Sequence, residues 1–232
     1  MNKRESAYNF ILRNTFRLIN PIKKSIMTTQ CEVHIFINNF ALDILKNDNY
    51  KEQFKFFKSY IKDLNEGAVW ADQDFKSSSH FYNPNKKRGL YGNSSAMDLA
   101  VDYYNLSLNL WKERKFNKSA FYLGAALHLI QDMTIPQHAN IRLLDNHKQY
   151  ETYIKRTYRY VEDFHVTSGV RLLKSIEDYI RFNTRVSIRI YRRFKSIRND
   201  EERYYRISKC GLPLAMRTTA GAMVMFYNDI NL

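Results

Sequence analysis

Phe121-Tyr-Leu-Gly-Ala-Ala-Leu-His128-Leu-Ile-Gln-Asp132-Met-Thr-Ile-Pro136-Gln-His138 is the stretch that decides how this chain folds. Phe121, Leu123, Ala126, Leu127 and Ile130 recur at helical spacing and predict a helix over 117–133. The residues between them are small or apolar, so the helix is expected to be buried on most sides. His128 and Asp132 are four apart and share one face. A histidine and an aspartate enclosed in this way need polar partners, and a metal ion supplies them. Pro136 is expected to end the helix, with His138 following in a tight connection.

Working outward, the same period predicts helices over 31–47, 50–65 and 94–114. A further helix is expected from about 146 past 160, and 170–228 is helical in period, closing with an apolar helix over 215–227. Residues 7–19 also read as a helix, with Tyr8, Ile11, Leu12, Phe16 and Ile19 on one side, Arg13 and Arg17 toward the other, and Pro21 as its stop. It reads either as an ordinary helix docked on the core or as a basic amphipathic helix on a membrane surface. The segment from Gly67 to Gly92 collects turn-forming residues and is expected to be a long functional loop. The 7 Gly and 4 Pro in 232 residues are too few for an all-β design. The expectation is an all-α, single-domain bundle of roughly seven to nine helices. Residues 1–30 form an N-terminal amphipathic helix and connection, and 31–232 the main domain.

Apolar residues make up 44% of the chain, enough for a core without staples. The formal net charge of +14 draws the chain toward phosphates, on nucleic acid or on anionic lipid head groups. Cys31 and Cys210 lie far apart and suggest no disulfide framework. No stretch approaches the roughly 20 apolar residues of a membrane span. Lys3 and Arg4 are not followed by an unbroken apolar run, so a secretory signal is not expected. The expected location is cytoplasmic or peripheral on the membrane.

Five of the six histidines, His34, His80, His128, His138 and His147, join three carboxylates, Asp72, Asp132 and Glu151, as candidate metal ligands. His147 and Glu151 repeat the spacing of His128 and Asp132 on the next helix. A pair at i and i+4 presents two ligands rigidly to one ion, and imidazole with carboxylate suits zinc.

The residues Gly67-Ala-Val-Trp-Ala-Asp72, Ser79-His-Phe-Tyr-Asn-Pro84, Phe121 through Asn140 and His147-Lys-Gln-Tyr-Glu151 resemble the bacterial zinc-dependent phospholipase C family. Arg217-Thr-Thr-Ala-Gly221 resembles that family's closing helix. The resemblance implies a helical domain around two or three zinc ions. Asp72, His80, His128 and Asp132 would hold the first, and His138, His147 and Glu151 the second. His34 and Asp132 would hold the third, with Asp132 bridging. It implies hydrolysis of phospholipid to diacylglycerol and a phosphorylated head group by a zinc-bound hydroxide. Asp72 would ligate zinc and also orient or deprotonate the attacking water.

The resembled family is mostly secreted and completes its third site with an N-terminal tryptophan. Here Trp70 and Trp111 are the only tryptophans, and both follow His34. Cys31, one turn before His34, is either a thiolate substitute or a small buried cysteine. Gln73 and the serines 77–79 stand where choline-specific members place aromatics, so no cation–π cage is expected. Lys86, Lys87 and Arg88 favour an anionic head group or membrane. Two other functions fit the pattern. One is a single-strand nuclease of the same superfamily, its phosphate backbone met by Arg181, Arg185, Arg189, Arg192, Arg193 and Lys195. The other is a non-catalytic zinc-binding protein at a membrane surface.

Overall fold

The computed structural model describes residues 21–72, 80–82, 84, 95–140 and 147–231, with only the backbone for 21–31 and Asn140. Eight α-helices lie among these residues: α1 (Pro21–Asn47), α2 (Lys51–Asp72), α3 (Ala96–Lys112), α4 (Phe116–Asp132), α5 (Pro136–Asn140), α6 (His147–Thr157), α7 (Ile176–Phe194) and α8 (Asp200–Asp229). A single 3-10 turn covers Glu162–Phe164, and no strand is found among the described residues. The expected helix over 7–19 lies outside them.

Local chemistry accounts for several boundaries. Ser95 caps α3 in a capping box. Its side chain accepts from the Asp98 amide, and its own amide donates to the Asp98 carboxylate at 2.9 Å. Ser175 and Asn199 cap α7 and α8 by accepting from the amides of Asp178 and Glu202.

Other boundaries differ from expectation. α1 runs from Pro21, ahead of the expected 31, and α4 ends at Asp132, before Pro136 as expected; Pro136 then opens α5 at its first position, where a missing N–H costs nothing. α8 starts at Asp200, well before the expected 215, and runs through Pro213. Its buried residues extend from Tyr204 to Phe226, and that packing holds the helix together across the proline. Gly67 and Asp72 belong to α2 and not to a loop.

Gly67 is glycine because α2 and α4 touch backbone to backbone. A Cβ on Gly67 would fall 1.7 Å from the Phe121 carbonyl oxygen, and one on Gly124 would fall 1.9 Å from that of Leu64. Asn117 donates to Asp63 at 2.9 Å before this crossing, and Asp72 meets His128 beyond it. The two helices therefore run in the same sense and bring their C-terminal ends together. Around this pair, α3 packs on α4, α1 on α2 and α8, and α7 on α8 and α5. The core they enclose includes Leu64, Leu123, Leu127, Ile130, Met216 and Met223. No helix among the described residues is long and apolar enough to cross a membrane.

Candidate metal centre

Five helices and one short segment send polar side chains to one place. α4 carries His128 and Asp132, α1 carries His34, and α2 ends on Asp72. His80 comes from 80–82, His138 from α5, and His147 and Glu151 from α6. Two backbone hydrogen bonds hold the 80–82 segment. The Tyr82 amide donates to the His138 carbonyl at 3.3 Å, and the Ala96 amide donates to the Phe81 carbonyl at 3.1 Å.

Asp132 is the hub. Its Oδ2 lies 3.0 Å from His80 Nδ1, 3.2 Å from His128 Nε2 and 3.9 Å from His138 Nδ1. Its Oδ1 lies 3.6 Å from His34 Nε2. Beyond it, His138 Nε2 faces His147 Nε2 at 3.1 Å, and His147 Nε2 lies 3.1 Å from Glu151 Oε1. Three groups of donor atoms each fit within 4.8 Å: His34, His128 and Asp132; Asp72, His80 and His128; His138, His147 and Glu151. All eight expected residues are thus brought together. His128 belongs to two of the groups, whereas the expectation gave the shared position to Asp132. Cys31 lies outside the described side chains, as do Gln73, the serines 77–79 and Lys86–Arg88.

Hydrogen bonds aim these rings. His34 Nδ1 donates to Gln131 Oε1 at 2.7 Å, and His138 Nδ1 donates to the His80 carbonyl at 3.1 Å. Each ring then turns Nε2 toward its group. Phe81 stacks on His138 with centroids 4.8 Å apart. Phe81 and Gln131 were not singled out in the sequence. The only signal for Gln131 is an amide inside an otherwise apolar run.

Burial sets the protonation. It is the main cause lowering His34 and His138 from 6.5 to about 4, so both are neutral near pH 7. Burial opposes a charge on His128 as well, but the Asp132 carboxylate outweighs it and raises that imidazole. Burial likewise opposes charge on Asp132, yet the surrounding histidines hold it well below the usual carboxylate range. Burial raises Glu151.

A family model described as zinc dependent phospholipase C matches residues 33–204. The chain belongs to the zinc-dependent phospholipase C family. It is 28% identical over 146 residues to a phospholipase C of Clostridium haemolyticum, an alignment covering 53% of this chain and 37% of that protein. It is 35% identical over 121 residues to a phospholipase C of Listeria monocytogenes, covering 46% and 42%. Against a phospholipase C of Bacillus cereus it is 26% identical over 151 residues, covering 59% and 52%. The matched region therefore spans between about a third and a half of these relatives' lengths. The fold is also that of the alpha toxin from Clostridium absonum, with a TM-score of 0.76 at 18% identity over 86% of this chain and 65% of that one.

The donor set fits the family's metal. Two imidazole nitrogens 3.1 Å apart share at most one hydrogen, so at least one of His138 and His147 meets the other with a lone pair, beside a carboxylate. His80 Nδ1 and His128 Nε2 likewise lie 3.3 Å apart and share at most one hydrogen between them. Their outer nitrogens, His80 Nε2 and His128 Nδ1, are buried without a hydrogen-bond partner. Burying that many imidazoles around one carboxylate is costly without a cation, and nitrogen with oxygen ligands is the set zinc takes.

Proposed function

We propose that this chain is a zinc-dependent phosphodiesterase that hydrolyses phospholipid to diacylglycerol and a phosphorylated head group. The observation that carries the reading is the convergence of three histidine–carboxylate groups in a chain of the phospholipase C family. His34, Asp72, His80, His128, Asp132, His138, His147 and Glu151 hold two or three ions. Zinc supplies Lewis acidity, activating water and neutralising charge at phosphorus. The protein's own groups do the rest. Asp132 holds four imidazoles at fixed distances. His34 and His138 stay neutral and keep a lone pair for metal. Asp72, half-buried at the end of α2, orients the attacking water or takes its proton. His147 and Glu151, with side chains 16% and 25% exposed, form the side that substrate reaches.

The substrate lies in a membrane surface of anionic character. This is supported by α7, whose solvent face carries Arg181, Arg185, Arg189, Arg192 and Arg193, all exposed, with Lys195 just beyond. Residues 181, 185, 189 and 192 recur at helical spacing as one stripe. Only Arg181 has an acidic partner among the described residues, Asp178 at 3.4 Å. The same stripe favours a second reading, cleavage of single-stranded nucleic acid. One experiment separates them. Diacylglycerol release from mixed liposomes is measured beside cleavage of single-stranded nucleic acid, each with and without chelator. Chelator-sensitive diacylglycerol release supports the first reading. Nucleic-acid cleavage without lipid hydrolysis replaces it with the second, and neither activity at full zinc loading sinks both.

A further inference from the structure

We infer that Gln131 is a positioning residue: it fixes the tautomer of His34, so that His34 meets metal through Nε2. The inference rests on the zinc reading and adds to it a residue outside the ligand set. Gln131 follows His128 by three positions on α4 and is buried. Its Oε1 sits 2.7 Å from His34 Nδ1, close enough for a strong hydrogen bond. An amide oxygen only accepts, so His34 Nδ1 must carry the hydrogen. The lone pair is then on Nε2, the atom that faces Asp132 Oδ1 at 3.6 Å.

The amide could do the opposite if it were turned over, and its neighbours forbid that. Gln131 Nε2 donates to Asn38 Oδ1 at 2.8 Å and to Thr219 Oγ1 at 3.1 Å. Asn38 is itself oriented, because its Nδ2 donates to Asn65 Oδ1 at 2.9 Å. A reversed Gln131 would set its oxygen against the Asn38 oxygen, two acceptors with no hydrogen between them. It would also present N–H to His34 Nδ1 and drive the imidazole proton to Nε2, where it would block a metal. A chain of amides from α2 through α1 to α4, anchored on α8, therefore determines which nitrogen of His34 is free. A neutral acceptor does this without placing a second buried negative charge beside Asp132.

Outer partners of metal-binding histidines influence affinity by about 10- to 100-fold. The test compares the parent, Gln131→Leu and Gln131→Glu by zinc competition against a chromophoric chelator, with melting of the metal-free proteins alongside. Both variants lose the Gln131 N–H donors that serve Asn38 and Thr219, so both should melt earlier. Only Gln131→Leu removes the acceptor, and it should weaken one zinc by at least about tenfold, while Gln131→Glu loses less. A loss in Gln131→Leu below about tenfold, or an equal loss in the two variants, would make Gln131 a packing residue and overturn the inference. Histidine nitrogen NMR of the zinc-free parent, assigned against His34→Gln, gives a readout that needs no folded Gln131 variant. His34 should be the Nδ1–H tautomer, and an Nε2–H tautomer overturns the inference. A parent that binds no zinc yet shows Nδ1–H sinks the zinc reading and leaves the positioning by Gln131 standing.

Discussion

The two halves of the metal centre are built differently. Around Asp132, the side chains of His34, His80 and His128 are 11%, 2% and 0% exposed, and they come from α1, the 80–82 segment and α4. The other half, His147 with Glu151, sits on one face of α6 and is more open, at 16% and 25%. The first half is enclosed by the helix crossing at Gly67 and Gly124 and braced by Gln131. The second rests on one turn of one helix, with His138 as its link to the core. Closed zinc sites add stability, and open ones keep a position for water or substrate. Under the proposed function, the two tasks would be divided between a core side and a solvent side.

The largest expected effect comes from metal removal. A strong chelator should abolish hydrolysis and lower the melting temperature, and zinc should leave in two phases, the ion at His147 and Glu151 first. Zinc release followed with a chromophoric chelator checks this. A single phase would mean that the two halves are one site. Fewer than one zinc per chain in zinc-replete protein would remove the basis of the comparison altogether.

Asp132→Asn comes next. It strips the charge that four imidazoles face, and breaking a buried charged cluster costs about 3–5 kcal/mol. Activity and the melting temperature should both fall sharply. Glu151→Gln acts on the open half, so activity should drop with a much smaller change in melting than in Asp132→Asn. Kinetics and melting of the two purified variants decide the matter. Similar losses of stability in both would contradict a closed and an open half.

The smallest effect concerns protons. His138 is lowered to about 4, first of all by burial, from 6.5 in the unfolded chain. The unfolded chain therefore takes up the proton first as the pH falls. Stability from neutral His138 is complete above 6.5 and is lost between 6.5 and 4. In chelated protein, His138→Gln should flatten the fall in melting temperature over that range. Parallel slopes for parent and variant would assign the acid sensitivity to other groups, such as His34.

Much of this was legible because it is local. The α4 period, the spacing of His128 to Asp132 and that of His147 to Glu151 are written within single turns of helix, and so is the all-α class. Gly67 was misread for the opposite reason. It looks like a breaker to its neighbours in sequence. Gly67 is small because Phe121 of another helix lies against it, and Pro136, beyond the end of α4, also opens the short α5. Pro213 is carried within α8 by that helix's packing on the core.

By itself, the sequence determined which side chains could serve as ligands and on which helices most of them sit, since ligand chemistry and helical period are properties of the residues and their spacing. Only the tertiary structure decided which ligands meet. His34 and Gln131 are 97 residues apart, and Gln131 and Thr219 are 88 apart. The free nitrogen of His34 depends on an amide whose orientation is set by Asn38 and Thr219. Hydrogen bonds are directional and short, so such an assignment exists only once α1, α4 and α8 have packed.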